Sequence, residues 1–170
     1  AAVRAACDEG ADTVYVSDNH GDCKSIDIEQ LDPRAELLHG MANLQPAWVP
    51  CLDASFDCVV AVGMHAMAGS HYASLPHSCW HVNGDTLRLS EATMCAALAG
   101  TFGVPFVFAS GDQTVTAEIR EKIPACETAV VKTAPRLPDG TPFPTLYYLT
   151  HPALTAAASR LESEGLMREM

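Results

Sequence analysis

Basic charge is scarce in these 170 residues. Ten Lys and Arg stand against 21 Asp and Glu, which leaves a net charge of −11 and a pI near 4.8. Phosphate backbones are gripped by clustered Lys and Arg, so nucleic-acid binding is excluded as the main role. Long apolar runs are missing too. None approaches the roughly 18 residues of a membrane span, and no membrane role is expected. The glycine patterns that cradle nucleotides, G-x-G-x-x-G and G-x-x-x-x-G-K-[ST], are absent, as is the G-x-S-x-G elbow of serine hydrolases. The seven cysteines contain no C-x-x-C pair and their number is odd, which argues against zinc knuckles and a disulfide framework. Reduced, mostly buried thiols in a cytoplasmic protein are expected instead.

What remains is ample for a core. Hydrophobic residues make up 48% of the chain and charged residues only 18%, which excludes intrinsic disorder. Residues 1–9 favour a helix that Gly10 would close, and Thr13–Val16 reads as a strand. Residues 26–50 read as turns with one edge strand. The unbroken apolar run Cys58–Val62 predicts a strand buried on both faces. Cys79–Leu89 predicts a hairpin turning at Asn83-Gly84, and Ser90 caps a helix over 91–102 that ends before Gly103. A strand over 105–109, a helix from Gly111-Asp112 to Ile123 and a strand over 128–132 follow. A proline-rich loop (134–146) and a last helix from Pro152 to Glu164 complete the pattern. This alternation predicts one α/β domain, a layered sandwich whose mostly parallel central sheet is flanked by helices, plus the β-hairpin.

Ligands of open α/β sheets bind beyond the carboxyl ends of strands. Three predicted strands deliver polar residues there: Asp18, Asn19, His20 and Asp22 after the first, His65 after the second, Gly111-Asp112 after the third. His65, His71, His77 and His81 crowd one segment. Neutral imidazoles with a carboxylate are the usual donors of a hydrolytic zinc site, so His20 and His65 could converge with an acid, Glu91 being best placed. Each has a plainer use. Asp18 and Asn19 suit a turn, Glu91 suits the positive end of its helix, and a lone histidine often serves one structural hydrogen bond. His39 and His151 read as surface or cap residues, His71 and His81 as open. Cys79, between His77 and His81, could act as a thiol nucleophile but has no helix N-terminus to activate it.

Five segments, in order, resemble the zinc-dependent D-aminopeptidase family of bacterial dipeptide-transport operons. They are Val-Ser-Asp-Asn-His (16–20), Gly-Met-His-Ala-Met-Ala (63–68), Pro-His-Ser (76–78), Ser-Glu through Ala-Gly (90–100) and Val-Pro through Gly-Asp (104–112). The similarity runs on through Ile123-Pro124 and Ala129–Lys132. The resemblance implies a dinuclear zinc aminopeptidase that removes N-terminal D-amino acids from short peptides such as D-alanyl peptides. It makes His20 a ligand of one zinc ion, His65 and Glu91 ligands of the second, and His77 the catalytic histidine. Asp18 and Asp112 would support these groups from behind. It also implies assembly into a ring-shaped homo-oligomer.

Some features depart from the family pattern. Its first strand carries a D-x-E-G motif that supplies a bridging Asp and a further Glu, and nothing like it precedes His20. The resemblance therefore implies a catalytic domain without its first strand and its carboxyl-terminal segment, with both acids expected upstream of Ala1. Such a chain alone is expected to be inactive. The competing readings are a family-fold module for binding or oligomerisation without turnover, and a cysteine hydrolase at Cys79. Pro76 and Gln113 replace family residues and leave substrate preference open.

Overall fold

The computed structural model describes residues 1–131 apart from Asp22, residues 41–45 and Ala47. The expected loop 134–146, the helix over 152–164 and His151 lie outside the described residues. The chain divides into two compact units at Phe56/Asp57.

In the first unit, helix α1 (Ala2–Asp8) ends before Gly10, whose φ of +104° suits a residue without a Cβ. Strand β1 (Val14–Ser17) pairs in parallel with β2 (Ala35–Leu38), the strand expected within 26–50. Arg34 ties this unit together at its surface by bonding Asp8 of α1 and Asp32. Tyr15 packs at a tilt on Phe56, with ring centroids 5.4 Å apart.

The second unit holds strands β3 (Val59–Met64), β4 (Trp80–Val82) and β5 (Leu87–Leu89), helix α2 (Glu91–Thr101), strand β6 (Phe106–Gly111), helix α3 (Gln113–Lys122) and strand β7 (Glu127–Val130). The three strands β3-β6-β7 form a parallel sheet in that order, and β4-β5 is the antiparallel hairpin. Both helices begin where sequence reading put them. Ser90 accepts from the Thr93 amide, and Asp112 from the amides of Thr114 and Val115, satisfying donors that a helix start leaves open. Ala92, Cys95 and Ala99 of α2, Val115 and Ile119 of α3, and Phe106 and Ala109 of β6 supply the core. Full burial of a side chain like Ile119 contributes about 1.5–3 kcal/mol. Small residues along α2 let it lie close to the sheet.

One expectation needs correcting. Cys58–Val62 is not buried on both faces: Val60 and Val62 remain 48% and 59% exposed while Val59 and Ala61 are partly covered. The strand is outermost among the described strands of its sheet, with β6 along one edge, so its side chains alternate despite being uniformly apolar.

Candidate metal centre

The end of β3 owes its course to two glycines. Gly63 has a φ of +73° and sits in an irregularity between Ala61 and Met64, where its amide donates to Ser110 Oγ at 3.2 Å. Met64 then pairs with Gly111 of β6. A Cβ on Gly111 would lie 2.2 Å from the Met64 carbonyl oxygen and 2.5 Å from Val115 Cγ1, so no larger residue fits without displacing backbone. This close approach delivers His65 directly beyond the strand.

From His65 the chain makes a loop whose neck closes on itself. The His77 amide donates to the Ala66 carbonyl, and the Ala68 amide to the Ser78 carbonyl. Helix α3 grips the loop from within. Buried Glu118 accepts from the Met67 amide at 3.2 Å and from Ser70 Oγ at 2.6 Å. Asp112 takes the Ser74 amide at 2.7 Å on the oxygen not used for capping, and Thr114 Oγ1 donates to the Tyr72 carbonyl at 3.1 Å. The two histidines at the neck are thereby stacked, with ring centroids 3.6 Å apart.

Glu91 meets them from the first turn of α2. Its Oε2 lies 3.3 Å from His65 Nε2, and its Oε1 lies 3.8 Å from His77 Nε2 and accepts from Ser78 Oγ at 2.7 Å. Ser90 caps the helix, which leaves the Glu91 carboxylate to face the loop. One donor atom from each of His65, His77 and Glu91 falls within 4.8 Å of the others.

The proton inventory suits a cation. A carbonyl can only accept, so His77 Nδ1, 2.7 Å from the Leu75 oxygen, carries the hydrogen. In the neutral ring Nε2 is then a lone pair turned toward Glu91. Burial lowers the His65 pKa and the neighbouring His77 lowers it further, while Glu91 pulls the other way. Neutral His65 offers a lone pair as well, and its buried Nδ1 makes no hydrogen bond of normal geometry among the described residues. The His65 imidazole and the Glu91 carboxylate are N and O donors of the kind zinc prefers, and the His77 ring lies beside them. The donor set fits that metal.

Of the residues proposed from sequence, His65, His77 and Glu91 come together, with Asp112 anchoring the loop between the two histidines. Asp18 and His20 belong to the first unit, on the turn after β1. Asp18 is buried and accepts from the amides of His20, Ser25 and Ile26 and from Ser25 Oγ. Burial pushes its pKa up, but those hydrogen bonds outweigh it and the net shift is downward. It orders the turn on which His20 is exposed. His81 is paired with Asp85 in the hairpin, and His39 is exposed. No disulfide joins the cysteines; burial raises the Cys95 thiol to about 11, which leaves it inert. Cys79 is half-buried just before β4.

From sequence, Glu118 has no role, Gly111 is placed only at a strand end, and Ser78 only within the Pro-His-Ser segment. The one signal for Glu118 was an acid beside Val115 and Ile119 on the buried face of α3.

Comparison with known proteins identifies the family. A family model described as D-aminopeptidase matches residues 1–136. A second, for a protein family of unknown function, matches residues 121–170. The D-aminopeptidase of Bacillus subtilis (strain 168) is 30% identical over 131 residues, which cover 75% of this chain and 47% of that protein. The solved structure of the Zn-dependent D-aminopeptidase DppA from Bacillus subtilis, described as a self-compartmentalizing protease, superposes with a TM-score of 0.69. It is 27% identical, with 76% of this chain and 48% of that one covered. The chain thus spans about half the length of these relatives, and it belongs to the D-aminopeptidase family.

Proposed function

We propose that this chain carries part of the active site of a zinc aminopeptidase that removes N-terminal D-amino acids from short peptides, D-alanyl peptides among them. The observation that carries the reading is the convergence of His65 and His77, at the two ends of one loop, with Glu91 from the first turn of α2. Membership of the family and the zinc dependence of the DppA relative support it.

His65 and Glu91 would hold a zinc ion within the second unit, and the family resemblance alone makes His20 a zinc ligand. Bound there, zinc supplies Lewis acidity toward a peptide carbonyl and lowers the pKa of water toward neutrality. The chain's own groups do the rest. Ala66 and Leu75 backbone oxygens fix the His77 amide and Nδ1–H, so its basic Nε2 points into the site. From there His77 Nε2 takes a proton from the attacking water and returns it to the leaving amine. The α2 N-terminus sets partial positive charge beside the Glu91 carboxylate. Asp112 holds the loop and Asp18 the turn of His20. The self-compartmentalizing relative supports the homo-oligomer that the resemblance implies; no described helix is long and apolar enough to cross a membrane.

The test is zinc content, together with cleavage of D-alanyl and L-alanyl p-nitroanilides by the chain joined to a family first strand that carries the D-x-E-G acids. The reading expects zinc to be bound, and D-alanyl turnover to be lost in both His65→Ala and His77→Ala, with zinc lost only in the first. Unchanged zinc and turnover in His65→Ala overturn it. Zinc binding without turnover would favour a family-fold module that binds or assembles without catalysing.

A further inference from the structure

We propose that Ser78 is a positioning residue that sets the rotation of the Glu91 carboxylate and so determines how tightly a divalent cation is held. The inference rests on the zinc reading of the His65–His77–Glu91 cluster.

A glutamate has three rotatable bonds before its carboxylate, and an unheld one presents either oxygen in many directions. Glu91 is held. Ser78 Oγ donates to Oε1 at 2.7 Å, which leaves Oε2 to face His65 Nε2 at 3.3 Å. With the Glu91 side chain only 15% exposed, water cannot readily take over the serine's part. Carboxylates that ligate metals are commonly hydrogen-bonded from behind in this way, and the partner tunes affinity without touching the ion.

The backbone adds an independent observation. Ser78 has a φ of +59°, a left-handed conformation uncommon for a residue with a Cβ. Glycine would adopt it more readily, yet a serine stands here. The conformation is held by the Ala68 amide on the Ser78 carbonyl and by the adjoining His77 amide on Ala66. Strain of this kind persists where the surrounding structure enforces it, typically at functional sites. Here it aims the hydroxyl at Glu91 while the preceding residue supplies the imidazole.

The two features separate cleanly by experiment. Zinc affinity is measured on the 170-residue chain by competition with a chromogenic chelator, alongside melting temperature, for Ser78→Ala and Ser78→Gly. Both variants should bind zinc about 10- to 100-fold more weakly, the range expected for loss of a ligand's hydrogen-bond partner. Ser78→Gly should melt above Ser78→Ala because glycine tolerates the positive φ. Wild-type affinity in Ser78→Gly would show that backbone shape alone matters and would overturn the proposal, as would unchanged affinity in Ser78→Ala. Absence of zinc binding by the wild type would instead overturn the metal reading itself, and this inference with it.

Discussion

Two loops follow parallel strands in this protein, and both bring a histidine to a strand end. After β1, Asp18 gathers the amides of His20, Ser25 and Ile26, all within eight residues of it. After β3, the loop from His65 to His77 is held by Glu118, Asp112 and Thr114, which are 38 to 51 residues away in the chain. The first loop is shaped largely by its own segment, with further bonds from Asn19 to the Trp48 carbonyl and from the Gly40 amide to the Cys23 carbonyl. The second is held by a helix on the far side of α2 and β6 in sequence. Bonds within one segment do most of the ordering of the first turn, whereas the two imidazoles and the carboxylate are brought together by long-range anchors.

The comparison can be broken most forcefully at Gly111. Gly111→Val would drive side-chain atoms into the Met64 carbonyl and Val115, and should destabilise the second unit by about 3 kcal/mol, the upper range for overpacking. Thermal melting and zinc titration would read the two consequences together. A variant that melts like wild type and binds zinc equally well would show that the β3–β6 approach is not needed for the site.

Glu118→Ala comes next. It leaves the Met67 amide and Ser70 hydroxyl without their buried acceptor, at a cost of about 2 kcal/mol, and should loosen His65 and His77 together. Denaturant unfolding gives the first effect, and weakened zinc binding the second. If stability falls while zinc affinity holds, the helix supports the fold but not the site.

Asp18→Ala should cost about 1–2 kcal/mol in the first unit by removing a hydrogen-bonded carboxylate. Its folded pKa lies below the unfolded value near 3.9, so its contribution is complete above that value and fades as pH falls through the lower, native one. The wild type should therefore lose stability below about pH 4 more steeply than Asp18→Asn. Parallel acid-unfolding curves for the two would contradict this account of the turn.

The same contrast explains what could be read from the amino acids alone. Ser90 and Asp112 as helix caps, Asn83-Gly84 as the hairpin turn and the order of elements through β7 all depend on neighbours a few residues apart. So did the choice of His65, His77 and Glu91, since each sits in a segment with a family pattern. The exposure of Val60 and Val62 was hidden, because a wholly apolar run does not say whether a sheet has one covered face or two. Glu118 was hidden for a different reason: its partners Met67 and Ser70 carry no mark of needing an acid from α3.

On the proposed function, His65 and Glu91, positioned by that long-range scaffold, would hold zinc. The most direct measurement is a zinc competition titration of wild type, His65→Ala and Glu91→Gln, with circular dichroism confirming that each remains folded. Loss of a ligand should exceed loss of a supporting bond, so both variants should weaken binding by more than about 100-fold. Wild-type affinity in either folded variant would contradict the account.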